Sequence, residues 1–241
     1  MKKTVAVIFA VAIITSAAFL AYGYKTRGEV SGNISVTGMG SQDFESDLVV
    51  WSASFSTKNV DLNAGIKKLS SDRDKVKSFL KSKGIVEDKQ VFSSVDYGEK
   101  RKSIYNDGRY VGSEFVAYDL SQTVTIQSDN LDLIDEVSRQ ISDLLNEGVV
   151  LTSHNPKYYY TQLDDLKLDL IEEASRNGRQ RAEQIAAYSE SKLGGLKSAK
   201  QGVFQILGKN SSESFSWGGT FNTSHRKKTA SVTVKMEYDV E

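Results

Sequence analysis

The residues able to do chemistry in this chain are few, and their spacing is poor for it. There is no cysteine and there are two histidines, His154 and His225, in 241 residues. Without cysteine the chain cannot form disulfides, cysteine-ligated zinc, iron–sulfur centres or a thiol nucleophile. Two histidines far apart in sequence make a histidine-rich metal site improbable. Paired carboxylates stand at Asp164-Asp165 and Glu172-Glu173. Neighbours on a helix point about 100° apart and do not converge on one reacting atom, so these are poor acid/base dyads. Asp164 and Asp165 are better read as complementing the N-terminal dipole of a helix. The stretch from Gly202 to Gly208-Lys209-Asn210 looks superficially like a phosphate-binding loop. It has one residue too many between its glycines, and Asn210 stands where Ser or Thr is needed, so a strand ending in a turn explains it better. Gly-x-Ser-x-Gly, His-Glu-x-x-His and Gly-x-Gly-x-x-Gly do not occur. His154, beside Asn155 and the single proline, Pro156, reads as a hydrogen-bonding residue of a turn or core. No catalytic, cofactor-binding or metal-ligating residue is assigned; the expectation is a protein that is not an enzyme and carries no cofactor.

Two segments suit contact with a partner instead. Lys100-Arg101-Lys102, Arg109 and the tyrosines Tyr97, Tyr105 and Tyr110 cluster in sequence, and such a basic and aromatic set can touch phosphates of lipid or nucleic acid. The chain has 31 basic and 31 acidic side chains, a formal net charge of zero, which argues against nucleic acid as the partner. A solvated hairpin tip is the plainer reading of this cluster. Phe215, Trp217 and Phe221 lie in a Ser/Gly-rich stretch with no periodicity to explain them. Large aromatics bury much area at low entropic cost and so anchor interfaces; these three either do that or fold back onto their own domain. Tyr158-Tyr159-Tyr160 would send alternate rings to opposite faces of a strand.

The elements that must position these residues follow from periodicity. Leu48 to Lys58 alternates, with Val49, Trp51, Ala53 and Phe55 on one face, and predicts a strand. Asp61 to Lys83 repeats Leu62, Ile66, Leu69, Val76, Phe79 and Leu80 at helical spacing before Gly84. Gln90 to Tyr97 and Tyr110 to Gln127 read as antiparallel strands about the turn Asn106-Asp107-Gly108. A helix is predicted over Leu131 to Asn146, capped by Asn130, with Ile134, Val137, Ile141, Leu144 and Leu145 inward. Val149 to Tyr160 reads as a strand, and Leu163 to Ser189 as a long helix with the stripe Leu166, Leu170, Ala174, Gly178, Ala182 and Ile185. Strands over Leu196 to Leu207 and Lys228 to Val240 close the chain around the polar stretch 209–226. The expected fold is α+β: an antiparallel sheet in ferredoxin-like βαββαβ order, then a long helix and two further strands.

The N-terminus bears on location. Met1-Lys2-Lys3 precedes an uncharged apolar run from Val5 to Tyr24. Twenty helical residues span about 30 Å, the thickness of a bilayer's hydrocarbon core. Residues 1–24 are therefore read as an export signal, either a cleaved signal peptide ending near Ala21-Tyr22-Gly23 or an uncleaved membrane anchor over residues 5–24. Residues 25–33 read as a tether and 34–241 as one folded domain.

Three segments, Ile34 to Gly40, Ala174 to Ala186 and Val232 to Val240, together resemble one family, the SIMPL-domain proteins, whose bacterial members are exported YggE-like envelope proteins. Ile34-Ser-Val36-Thr-Gly38-Met-Gly40 is similar to the family's opening strand with its Gly-x-Gly, and Asp47-Leu48 follows where members carry Pro-Asp, with Ser46 in place of the proline. Ala174 to Ala186 is similar to the family's alanine-rich helix, with Gly178 where alanine is usual, and Val232 to Val240 to its closing strand. The resemblance implies an α+β protein of the cell envelope without an assigned catalytic site, and some members assemble into rings. The expectation is a periplasmic or envelope protein that self-assembles into a homo-oligomer or binds another envelope protein, with Phe215, Trp217, Phe221, Tyr105 and Arg109 as candidate interface residues. The rival readings are a small-ligand binder or enzyme with an unrecognised site, and a membrane-tethered monomeric adaptor.

Overall fold

The structure, a computed structural model, describes residues 2–27 and 32–240, with side chains described at 8, 10–23 and 32–240. The chain opens with helix α1 (Lys2–Arg27), strands β1 (Asn33–Glu45) and β2 (Leu48–Asn59) and helix α2 (Leu62–Ser82). Strands β3 (Gln90–Phe92), β4 (Asp96–Asn106) and β5 (Arg109–Ser128) come next, then helix α3 (Leu131–Gln140) with a 3₁₀ continuation over Ile141–Glu147. Strands β6 (Val150–Ser153) and β7 (Lys157–Tyr159) precede helix α4 (Leu163–Tyr188). Strands β8 (Leu193–Gln201), β9 (Gln205–Gly208), β10 (Thr220–Phe221) and β11 (Lys227–Val240) complete it. The α+β class read from periodicity is the class observed.

The stretch read as one domain divides into two compact units of interleaved chain, residues 1–40, 169–203 and 232–241 in one and 41–168 with 204–231 in the other. In the larger unit a six-stranded sheet runs β3-β5-β2-β6, with β4 paired to β5 and β7 to β2, all antiparallel. The alternation of β2 places Val49, Trp51, Ala53 and Phe55 on the buried face, where they join Leu120, Val124 and Ile126 of β5. Helices α2 and α3 close that core with Leu69, Val76, Leu80, Ile134 and Val137. Asp61 caps α2 by accepting the backbone N–H of Ala64 at 2.7 Å, and Asn130 caps α3 by accepting that of Leu133 at 3.1 Å.

Three apolar positions expected inward are exposed instead, and each has a geometric cause. Ile66 yields the inner face of α2 to Gly65, which packs so close to Leu120 that a β-carbon there would stand 2.7 Å from its Cδ1. Leu145 lies where the helix has tightened to 3₁₀ form; at three residues per turn Ile141 and Leu144 stack inward and Leu145 turns out. Along α4 the inward stripe advances strictly by four, Leu166, Leu170, Ala174, Gly178, Ala182, so Ala186 and not Ile185 takes the next buried place. The expected strand Val149 to Tyr160 is two short strands, broken at His154-Asn155-Pro156 because proline has no N–H for the ladder. The expected strand Leu196 to Leu207 is likewise two, β8 and β9.

In the smaller unit β8 pairs antiparallel with β11, Val234 opposite Gln201 and Met236 opposite Ala199, and β1 lies along β11 as well. Ile34, Val36, Gly38 and Gly40 form the buried face of β1. Helix α4 packs there through its small residues.

Helix α1 continues through Ala21-Tyr22-Gly23 to Arg27. Among the described residues no helix is long and apolar enough to cross a membrane; in α1 the described side chains are those of 8 and 10–23. Of the expected tether, residues 28–31 lie outside the described residues.

Candidate functional site

The β4–β5 hairpin turns at Asp107-Gly108, both at positive φ (46° and 75°), a geometry that asparagine, aspartate and glycine tolerate. Pairing of β5 with β2 ends where Asn59 meets Tyr118. Beyond that point Arg109–Ala117 pair with β4 alone among the described residues, leaving a two-stranded ribbon that extends about 30 Å at the usual rise per residue. Every residue of β4 is exposed.

Directly paired residues share a face, so the register sorts the ribbon's side chains. One face, continuous with the buried face around Leu120, carries Tyr97, Glu99 with Tyr118, Arg101 with Phe115, Ser103 with Ser113, and Tyr105 with Tyr110. The other carries Lys100, Lys102 with Glu114, Ile104 with Gly112, and Asn106 with Arg109. The register slips that bulge β5 near Val116 and Val111 keep the aromatics on one side. The rings of Phe115 and Tyr118 stand 5.0 Å apart, and those of Tyr105 and Tyr110 meet edge to face at 5.9 Å. Arg101 lies between the two ring pairs, held by Glu99 at 2.8 Å and donating to Ser113 Oγ at 3.2 Å. The predicted residues Tyr105 and Arg109 thus flank the hairpin tip on opposite faces.

Phe215, Trp217 and Phe221 belong to a separate loop and meet different fates. Trp217 is fully exposed and Phe215 two-thirds exposed. Their turn is nonetheless braced. Buried Gln205 donates through Nε2 to the Ser216 carbonyl at 2.7 Å and accepts the Ser216 N–H at 3.2 Å. The Gly219 N–H closes the turn on the Ser216 carbonyl at 3.1 Å. Earlier in the loop Glu213 accepts the Gly208 N–H at 3.0 Å and the Asn222 amide at 2.5 Å, and these hydrogen bonds hold its carboxyl below the usual carboxylate range. Asn222 in turn accepts the His225 N–H at 2.9 Å. Phe221 folds back: its ring lies 6.5 Å from that of Tyr159 and 5.7 Å from Lys228 Nζ.

Lys228 was not visible as special in the sequence. It is 1% exposed, its ammonium donates to the Tyr158 carbonyl at 2.6 Å, and burial pulls its pKa down to about 8. The Tyr158 hydroxyl donates to Asp135 at 2.6 Å, and burial together with that carboxylate pushes its pKa up to about 12. Tyr160 packs on Phe44 at 4.9 Å. The three tyrosines therefore serve three separate contacts, as alternation along a strand requires for the first two.

The other candidates are local hydrogen-bonding residues. His154 Nε2 lies 3.1 Å from Ser54 Oγ, and its N–H donates to Ser52 O at 3.0 Å. Gly208 ends β9 and a turn with Asn210 at positive φ follows, with no helix after it to make a phosphate loop. Asp164 and Asp165 occupy the first turn of α4. Among the described residues no group of three or more His, Asp or Glu is arranged to hold a metal ion. An open groove of about 670 Å³ runs beside α4, lined by Val36, Thr37, Arg181, Gln184, Ile185, Tyr188 and Ser189.

Ser46 and Asp47 show what the sequence departure does. The Ser46 N–H donates to Arg226 O at 2.9 Å, a bond a proline could not make. Asp47 accepts both the N–H and the hydroxyl of Thr161, at 2.8 and 2.6 Å, just before α4 begins.

No curated protein matches the chain. A family model described as "SIMPL: Protein of unknown function (DUF541)" matches residues 34–238, most of the chain and both glycine-bearing and alanine-rich segments quoted above. The chain therefore belongs to the SIMPL family.

Proposed function

We propose that this protein is an exported component of the cell envelope that stays attached to a membrane through residues 5–24 and works by self-association, without catalysis. The observation that carries this reading is the β4–β5 ribbon, whose aromatic face is open to solvent at Tyr97, Tyr105 and Tyr110, while Tyr118 at its base packs against the core. A bare two-stranded ribbon is marginal in water. Tyr97, Tyr105 and Tyr110 are each about 60–65% exposed, so covering that face with a second copy removes a contiguous aromatic strip from water. Arg101 on that face is paired with Glu99, so no lone charge is buried when the face is covered. Attachment is supported by the uncharged run from Val5 to Tyr24, long enough as a helix to span a bilayer core.

The test is the native mass of the full chain in mild detergent, by light scattering corrected for bound detergent, over a range of concentrations. A discrete oligomer that dissociates in the Tyr105→Ser/Tyr110→Ser variant supports the reading. A wild-type chain that stays monomeric throughout overturns self-association and leaves the tethered adaptor.

A further inference from the structure

We propose that the Ser216–Gly219 turn is a second membrane contact, with Trp217 and Phe215 seated in the headgroup region of the bilayer that holds the N-terminal helix. The proposal rests on the reading that residues 5–24 remain as an anchor, and adds to it a site on the folded body.

Four observations converge. The first is presentation: Trp217 is fully exposed next to Ser216, whose backbone is clamped on both sides by buried Gln205, so the backbone of the tip is held before any partner arrives. Such preorganisation removes the ordering cost that a floppy loop pays on binding. The second is charge: residues 214–224 contain no ionisable side chain, so immersing the tip strips no ion of its water.

The third concerns the backbone. Where water is scarce, peptide groups need internal partners. In this turn the Ser216 N–H and C=O are taken by Gln205, the Gly219 N–H by the Ser216 carbonyl, and the Gly218 N–H lies 3.4 Å from Ser216 Oγ. The fourth is chain length: five residues, 28–32, separate the end of α1 from β1, at most about 20 Å of extended chain. So short a tether raises the local concentration of the folded residues at the membrane, from which a weak aromatic contact gains. Tryptophan is the side chain best suited to that boundary, with an apolar body and an N–H for the wet side.

The chain supplies its own reporter, because it has two tryptophans and they differ completely. Trp51 is 1% exposed, with its indole N–H on Ser153 Oγ at 3.1 Å, so the difference between wild type and Trp217→Phe isolates Trp217. The full chain and the Trp217→Phe variant are reconstituted into phosphatidylcholine/phosphatidylglycerol vesicles, with and without lipids brominated near the headgroup, and flotation is checked first. The expected result is a blue-shifted Trp217 emission that is lost with brominated lipid and resists aqueous iodide, while the variant is unaffected by either. A chain that fails to float with the vesicles overturns the anchor and with it this proposal. A chain that floats while Trp217 remains open to iodide overturns the proposal and leaves the anchor standing. Shielding from iodide without quenching by brominated lipid overturns it in favour of a protein contact at the tip.

Discussion

Gly38 of β1 and Gly178 of α4 meet backbone to backbone: a β-carbon built on Gly38 would stand 2.5 Å from the Gly178 nitrogen and 1.9 Å from the Ala174 carbonyl oxygen. Helix and strand can approach this closely here because Gly38 faces the small residues Ala174 and Gly178. Gly40 repeats the arrangement one step along, 2.2 Å from the Leu170 carbonyl oxygen. The Gly-x-Gly of the opening strand and the alanine-rich helix are thus two halves of one packing contact within the smaller unit.

The two glycines should respond differently to alanine. Gly38→Ala drives a methyl into helix backbone, which cannot move aside, and is expected to cost about 3 kcal/mol or more. At Gly178 the worst obstacle is the Met236 methyl at 2.0 Å, the free end of a flexible side chain, and alanine recovers about 1 kcal/mol of helix propensity. Urea unfolding should rank Gly38→Ala far below Gly178→Ala; equal losses would mean that the helix can shift away from the strand.

The aromatic loop should divide by residue. Trp217→Ser removes a side chain that touches little and should leave the unfolding midpoint within about 0.5 kcal/mol of wild type. Phe221→Ser removes the ring beside Tyr159 and over Lys228, and should cost about 1–2 kcal/mol. Thermal unfolding followed by circular dichroism distinguishes them.

Lys228 predicts a rise of stability with pH. Its folded-state pKa is about 8 against an ordinary 10.5, so between those values the unfolded chain binds more protons. The penalty for burying the cation is full below about pH 8 and is relieved as the pH climbs towards 10.5. Tyr158 acts with the opposite sign: its pKa rises from 10.0 to about 12, so its contribution is present below pH 10 and is lost through that window. Lys228→Met should therefore be more stable than wild type at pH 7, on the order of 2–3 kcal/mol, with the advantage shrinking by pH 10. A constant difference across urea titrations at pH 7, 8, 9 and 10 would refute the assignment.

The ribbon should be a protease target only when it is uncovered. Lys100, Arg101, Lys102 and Arg109 are all exposed trypsin sites on the projecting strands. Limited trypsin should nick 100–109 rapidly at concentrations where the chain is monomeric and slowly where it is assembled. The same rate in both states would place the interface elsewhere.

Several elements were legible because their signals are local. Alternation in β2, the Asp107-Gly108 turn and the Asn130 cap each depend on residues a few positions apart, and the structure has them where those local signals put them. Ile66, Leu145 and Ile185 were misplaced because a helical repeat fixes a face only to within one neighbour. Close approach to Leu120, a 3₁₀ turn and a strict four-residue stripe then decided which neighbour went inward.

The candidate residues divide in the same way. That Tyr105 and Arg109 sit at a hairpin tip was readable from the turn beside them, and the uncharged run 5–24 from its composition. The sequence by itself determined the α+β class, the family and most of the helices and strands, since each is written in short-range pattern. Only the tertiary structure decided that the hairpin projects unsupported past Asn59, that Phe221 folds back while Trp217 does not, and that Lys228 is buried over an aromatic ring. Those outcomes depend on where strands end relative to one another and on contacts such as Lys228 with Tyr158, between residues distant along the chain, which no local periodicity records.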